Sequence, residues 1–360
     1  MIALTRRQFV ALGASGLFVI AGGGIALRAL AQKSPRTISA PKSNSLPPNS
    51  TESTFTPKEI AALPLPLWLT PNENFYRVQY AEIPSVSLTS WSLTIYGKVQ
   101  REEKFSFDEI RALPALTRMH TLECIGNPVG GNLIGNADWR GISLRDLLQR
   151  AGIAPDARWV VIGGVDEYFT SIPIERALHE HALLAYEMNG ATLPLEHGFP
   201  LRAILPGVYG QKQPKWITSL YVTDTEALGH WEQKGWSREA AIQLNSGIKM
   251  PRESIPIARG DILIAGVAHA SEIGVRSVEM STDGGATWDQ TILTRAPSPF
   301  VWTPWGYLWK NVAPGNYELR ARATDNAGNA QPARGPALLR DVYPNGANAI
   351  HSILVQVSEA

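Results

Sequence analysis

Cysteine is almost missing: Cys124 is the only one in 360 residues. That excludes an intramolecular disulfide, a cysteine-held iron–sulfur cluster and a Cys-x-x-Cys-His haem attachment site. An excess of charge is missing too, because 33 basic and 32 acidic residues leave a formal net charge of +1. The two signs are interspersed, with no basic run and no aromatic–basic repeat, which excludes an electrostatic footprint for nucleic acid. What remains is 44% apolar and 18% charged residues, enough for more than one domain. Eleven tryptophans point to well-filled cores or to the walls of a cofactor site.

The one long apolar run is N-terminal. Thr5-Arg-Arg-Gln-Phe-Val10 precedes a glycine-containing apolar run from Ala11 to Leu27, and Ala29-Leu-Ala31 supplies a small-residue cleavage site, so residues 1–31 read as an export signal. The paired Arg6 and Arg7 fit the twin-arginine type. The twin-arginine translocase, which carries folded proteins, is then a partner, and the protein is expected in the periplasm or otherwise outside the cytoplasm. An uncleaved signal would act as a membrane anchor, since the run is almost long enough to span a bilayer. Gly13, Gly16, Gly22, Gly23 and Gly24 weaken that alternative. Residues 32–56, rich in Pro, Ser, Asn and Thr, read as a disordered linker.

Folding is expected from about residue 57, behind a capping box at Thr56-Pro-Lys-Glu59 that starts a short helix through Ala62. Trp91, Leu93 and Ile95 alternate as a strand that closes at Gly97. Ser106-Phe-Asp-Glu109 opens a short helix, and Ser143 to Ala151 forms another, with Leu144, Leu147 and Leu148 on one face and Gly152 as its stop. Further strands are expected at 117–123, 158–162, 183–187, 201–205 and 216–223, so 57–245 reads as an α+β domain. From 251 to 360 the texture changes to short strands at 261–268, 274–281, 287–293, 307–310, 317–324 and 350–357, with a hairpin signal at Asp283-Gly-Gly285. That spacing reads as an all-β immunoglobulin-like sandwich.

The chain is organised around Thr121-Leu-Glu-Cys-Ile-Gly-Asn-Pro-Val-Gly-Gly-Asn132. Alternation before Cys124 and the Gly/Asn/Pro cluster after it place the thiol at a strand end facing a loop. Free cysteines are mostly buried small hydrophobes. A thiolate is also a nucleophile or a soft ligand for a transition metal, and a glycine loop leaves room for a bulky partner.

Thr121-Leu-Glu-Cys-Ile-Gly-Asn127 resembles the metal-ligating segment of the sulfite oxidase family of molybdopterin-dependent oxidoreductases. The resemblance continues in family order through Trp139-Arg-Gly-Ile-Ser-Leu-Arg-Asp-Leu-Leu148, Ala185-Tyr-Glu-Met-Asn-Gly190, His197-Gly-Phe-Pro-Leu-Arg202 and Pro206-Gly-Val-Tyr-Gly-Gln-Lys-Gln-Pro-Lys-Trp216. It implies a molybdopterin-binding domain followed by a dimerisation domain, and hence a homodimer. It implies a mononuclear molybdenum centre, held by one molybdopterin (Mo-MPT) and by Cys124 as metal ligand. It further implies cofactor contacts at Phe75, Tyr76, Arg77, Gln79, Asp166, His197, Arg202, Gln213 and Lys215, with Cys124, Arg77 and Trp139 nearest the chemistry. A phosphate-tailed pterin needs such converging cations and donors. With no haem site in the chain, electrons must pass to or from a separate partner, a c-type cytochrome or a membrane quinone-linked protein.

The sequence also departs from the family. Sulfite oxidases hold their anionic substrate with several arginines and a tyrosine. Arg77 matches one of those arginines, but Pro128 and Val129 stand where a second should follow the cysteine motif, and Thr303 stands at a third. The tyrosine segment after His230-Trp231 is shortened, and Glu232-Gln-Lys234 supplies none. The expected small-molecule substrate is therefore a sulfoxide-like or other small oxo donor or acceptor, in a pocket lined by Trp139 and Arg77, with sulfite retained if Lys234 or Lys212 replaces the lost charge. Other classes stay open: a thiol enzyme in which His197 activates Cys124, or a cofactor-free binding or scaffold protein on the same fold. His179 and His181 lack a third ligand and make a poor metal motif.

Overall fold

The computed structural model describes residues 68–253, 255–333 and 342–359. The expected export signal, the linker and the helix from Thr56 lie outside the described residues.

The first region is built from two sheets that share one core. In the first sheet the order is Glu103–Phe105, Leu93–Gly97, Ile217–Thr223, Trp159–Gly164 and Phe169–Pro173, with Leu93–Gly97 running parallel to Ile217–Thr223. The second sheet runs Ala115–Glu123, Ile134–Ser143, Leu183–Met188 and Ala191–Thr192, with Arg202–Ile204 also paired to Leu183–Met188. Short helices close the core. Phe107–Ala112 starts at the expected box, Ser106 Oγ accepting from Glu109 N while Glu109 reaches back to Ser106 N. Leu144–Ala151 is capped by Ser143, buries Leu144, Leu147 and Leu148, and ends where Gly152 turns left-handed at φ 75°.

One element is invisible to periodicity. Ile134–Ser143 is a ten-residue strand paired on both sides, yet its sequence, Ile-Gly-Asn-Ala-Asp-Trp-Arg-Gly-Ile-Ser, carries two glycines and no clean alternation. Tertiary pairing overrides local preference here. Gly141 lies at a register shift, where a Cβ would meet Leu184 O at 1.9 Å, so the glycine permits the close backbone approach.

In the second region one sheet runs Asn245–Met250, Gly260–His269, Thr303–Val312 and Ile292–Leu293. The other runs Ile257–Ala258, His351–Ser358, Gly315–Asp325, Val275–Ser281 and Asp289–Gln290. A single core takes Ile248, Ile262, Ile264 and Trp305 from the first sheet and Val278, Leu319, Ile353 and Val355 from the second, which makes the region a two-sheet sandwich. The strand expected at 287–293 divides into Asp289–Gln290 and Ile292–Leu293, which belong to opposite sheets. Pairing of the second region begins at Asn245, not at residue 251, because Asn245–Met250 joins Gly260–His269.

The two regions are in contact. Thr121 N donates to Phe300 O at 2.9 Å, and Trp302 N donates to Thr121 Oγ1 at 2.9 Å. The strand that leads to Cys124 is therefore held from both sides.

A candidate cofactor cavity at Cys124

Ala115–Glu123 delivers Cys124 at its end, and the following loop folds back on it. Cys124 N donates to Leu133 O and Asn127 N donates to Cys124 O, each at 2.9 Å. The thiol is 8% exposed, and burial pushes it up to about 11, with Glu123 adding to the shift and a backbone hydrogen bond from Gly126 opposing it. A nucleophilic cysteine needs the opposite shift. The imidazole proposed as its activator is turned elsewhere, since His197 Nε2 lies 3.1 Å from Asn72 O, and burial, then Arg202, lowers its pKa to about 4.

Cys124 faces a cavity with about 810 Å³ of empty space, part of it open to solvent. Tyr76, Arg77, Gln79, Asp166, His197, Arg202, Gln213 and Lys215 line it, so the structure brings together nearly every residue expected at the cofactor. They arrive from both sheets: Arg202 from the strand Arg202–Ile204 of the second, Asp166 from the turn between Trp159–Gly164 and Phe169–Pro173 of the first, and the others from segments outside the strands, which is why only their family order linked them in the sequence.

The cavity carries more cation than it can neutralise. Arg202 is 4% exposed; Nη1 donates to His197 O at 2.9 Å, the guanidinium lies 4.9 Å over the Trp139 ring, and Nε has no partner among the described residues. Burial lowers its pKa to about 10. Lys215 Nζ donates to Glu196 O at 2.9 Å and lies 4.3 Å from the Trp216 ring, and burial, then the Arg202 charge, lowers it to about 7. Arg77 pairs with Glu196 at 3.6 Å. Burial raises Asp166, whose Oδ1 accepts from Tyr168 N in a tight turn. A buried guanidinium with an unmet donor beside an ammonium destabilised by its surroundings fits an anionic ligand. A phosphate-tailed pterin bearing a soft metal at the cysteine end meets both requirements.

Several expectations need correction. Phe75 and Trp139 do not line the cavity. Phe75 is 3% exposed and packs edge-on against Trp139 and His197, while Trp139 is fully buried with its indole N–H donating to His120 O at 3.1 Å. They form the layer beneath, because a large ring that fills the core under Arg202 removes more apolar surface from water than one left in the cavity. Gln213 lines the wall, but its amide is spent on backbone, accepting from Leu205 N and donating to Val208 O. Lys212 is 2% exposed and ion-paired with Glu232 at 2.5 Å, and Lys234 is exposed, so neither replaces a substrate arginine. Thr303 is buried in its strand, and Pro128 and Val129 line a small separate cavity behind the cysteine loop. His179 and His181 pack around Phe300, and no group of three or more His, Cys, Asp or Glu side chains that could by themselves hold a metal occurs among the described residues.

Of the aromatic lining the sequence points to Tyr76, while Tyr80, Tyr168, Trp231 and Trp236 carry no signal in periodicity or motif. Trp231 and Trp236 flank the shortened segment Glu232-Gln-Lys234, and Trp236 is backed by Tyr343 at 5.3 Å. The helix His230–Gln233 that carries Trp231 is anchored by the buried Lys212–Glu232 pair, Lys212 also donating to Thr170 Oγ1 and Ser171 O. Lys212→Met leaves an uncompensated buried carboxylate, with an expected cost of about 3–5 kcal/mol. Chemical denaturation checks this, and the double variant Lys212→Met/Glu232→Leu is expected to recover most of the loss.

Fold and site together define a molybdopterin-binding oxidoreductase. Residues 80–231 match the oxidoreductase molybdopterin binding domain. Sulfite oxidase of Gallus gallus is 34% identical over 317 residues, covering 74% of this chain and 68% of the relative. Mitochondrial sulfite oxidase of Drosophila melanogaster is 31% identical over 349 residues, and the match covers 80% of this chain but only 59% of that protein. The sulfane dehydrogenase SoxCD from Paracoccus pantotrophus shares the fold, with a TM-score of 0.70 at 24% identity over 86% of this chain and 89% of that one. The chain belongs to the sulfite oxidase family of molybdenum-dependent oxidoreductases.

Proposed function

We propose that this protein is an exported, homodimeric oxidoreductase in which Cys124 ligates molybdenum, Arg202, Lys215 and His197 hold the phosphate-bearing pterin, and a small neutral oxo donor or acceptor of the sulfoxide type is the substrate. The observation that carries the reading is the convergence on one cavity of the lone thiol, the unmet Nε of Arg202 and the destabilised Lys215. When bound, the cofactor supplies the two-electron oxygen-atom exchange. The protein's part is to present the thiol, fix the pterin's charge with buried cations, and keep bulk water from the reacting end with aromatic walls.

The substrate class follows from what charge is left over. Arg202 and Lys215 are committed to the cofactor's anionic part, and Arg77 is offset by Glu196. Pro128, Val129 and Thr303 stand at the other anion-binding positions, and Tyr80, Tyr168, Trp231 and Trp236 add aromatic surface to the cavity wall. Aromatic surface without a spare cation favours a polarisable neutral molecule over a hydrated dianion, whose desolvation it does not repay. Separate turnover assays of the loaded enzyme test this, methyl sulfoxide reduction with an artificial electron donor and sulfite oxidation with an artificial electron acceptor: the sulfoxide is expected to have the higher kcat/KM, and sulfite turnover at a comparable rate would overturn the assignment.

The two-sheet region is read as an immunoglobulin-like dimerisation domain, on the strength of its alternating strands and the family resemblance. The paired Arg6 and Arg7 support twin-arginine export to the periplasm. Electrons pass to or from a separate protein, a c-type cytochrome or a quinone-linked membrane protein.

The Lys215 ammonium makes the anion site testable without turnover. Its folded pKa lies below the unfolded value of about 10.4, so between about 7 and that value the unfolded chain holds more protons. Stability of cofactor-free protein is expected to rise with pH through this window, and Lys215→Met to flatten the rise. Sulfate, a fixed dianion, is expected to raise Tm more at about pH 6 than at about pH 9. Thermal scans with and without sulfate check both statements.

A further inference from the structure

We infer that Lys249, on the first strand of the second region, is a positioning residue for Cys124: it clamps the cysteine loop and thereby fixes the thiol that the proposed function uses as a metal ligand. The inference rests on that reading for its purpose, but its geometry stands independently.

Asn245–Met250 pairs with Gly260–His269 in register from Asn245↔His269 to Ile248↔Gly266, and then the register shifts, so that Met250 faces Ala265. Lys249 is the residue at the shift. A bulge of this kind turns a side chain away from the alternation of its strand. Here it aims the ammonium at the loop that follows Cys124, where Nζ donates to Gly130 O at 3.1 Å, Gly131 O at 2.7 Å and Asn132 Oδ1 at 3.0 Å. A lysine ammonium has three N–H donors, and these acceptors engage all of them. No carboxylate takes part in these bonds; the ammonium is spent on loop oxygens.

The rest of the strand is shaped to the same loop. Asn245 Nδ2 donates to the carboxylate of Glu123, the residue before the cysteine, at 3.0 and 3.2 Å, and Asn127 Nδ2 donates to it from the loop itself at 2.9 Å. Gly247 approaches so closely that a Cβ there would lie 3.2 Å from Gly130 Cα. A Cβ on Gly130, at φ 68°, would strike the His351 ring, whose Nδ1 accepts from Ile248 N at 2.9 Å. The loop then closes on Cys124 through Leu133, whose O accepts from Cys124 N and whose N donates to Asn127 Oδ1. Lys249 thus holds Gly130 to Asn132, and Leu133, the next residue along the chain, holds the cysteine backbone.

The test compares full-length protein made without cofactor in parent, Lys249→Met and Lys249→Arg forms, reading the rate at which iodoacetamide alkylates Cys124 under native conditions. Cys124 is the only thiol, so the label reports that site alone. Lys249→Met is expected to speed alkylation by about ten-fold or more, as expected when charge-assisted bonds are lost, and Lys249→Arg to recover part of the protection. Ile264→Val, which loosens the same sandwich core away from the loop, is the control for general destabilisation and is expected to leave the rate within about two-fold of the parent. In the loaded enzyme, Lys249→Met is expected to shift the thiolate-to-metal absorption band, and Ile264→Val to leave it in place. Equal alkylation rates in parent and Lys249→Met, or an equal acceleration in Ile264→Val, would overturn the clamp. A parent that carries no metal would overturn the proposed function while leaving the alkylation comparison to decide the clamp.

Discussion

Cys124→Ser is expected to abolish turnover while leaving the fold intact. The side chain is small and buried, and a serine hydroxyl fills nearly the same volume, so thermal stability should change by no more than about 1–2 kcal/mol. The chemistry changes far more. A hydroxyl is a harder and much less acidic donor than a thiol, and a soft metal position prefers sulfur. Loss of an outer partner of a metal ligand commonly costs 10–100-fold in affinity or activity, so removal of the ligand atom itself is expected to cost more than about 100-fold. Steady-state turnover together with metal content checks this. A folded Cys124→Ser protein with parent-like activity would mean that the thiol is only a buried hydrophobe.

Arg202→Met is expected to act with opposite signs on stability and on cofactor retention. In cofactor-free protein the guanidinium is buried over Trp139 with an unmet Nε and a second cation, Lys215, in the same cavity. Replacing it with an unbranched apolar chain removes that desolvation and repulsion at the loss of one hydrogen bond to His197 O, so stability should be retained or raised by about 1–2 kcal/mol. Removing one side of a buried charge-assisted contact to an anion costs about 2–5 kcal/mol, so the cofactor should dissociate tens- to thousands-fold more readily. Tm of the cofactor-free form and molybdenum retained after extended dialysis measure the two effects. A parallel fall in both would indicate that Arg202 is a structural residue and that the pterin is held elsewhere.

The elements that were legible in the sequence are those governed by local rules. The capping box at Ser106 and Glu109, the Ser143 cap with its Gly152 stop, and the alternating strands of the second region follow from backbone donors and side-chain period alone. Ile134–Ser143 follows no such rule, because it is fixed by partners on both sides. Local signals are also blind to the bulge at Lys249.

The candidate site divides in the same way. Cys124, His197, Arg202 and Lys215 are legible because charged and thiol-bearing residues recur in family order, and the structure brings the segment from His197 to Lys215 to the end of the strand that carries Cys124. A motif tryptophan such as Trp139 looks alike in sequence whether it faces a cavity or lies beneath one; only its packing against Phe75 and Arg202 decides. Tyr80, Tyr168, Trp231 and Trp236 carry no motif, and three-dimensional proximity alone reveals them. The shortened segment after His230-Trp231, marked by the tyrosine it lacks, is flanked by two of these rings, Trp231 and Trp236.

Molybdenum and pterin content of the full-length protein, purified from a host that makes the cofactor, tests the central claim most directly. The account predicts about one molybdenum per chain and the fluorescence of an oxidised pterin, both strongly reduced in Arg202→Met. A well-folded parent protein with neither metal nor pterin would contradict it.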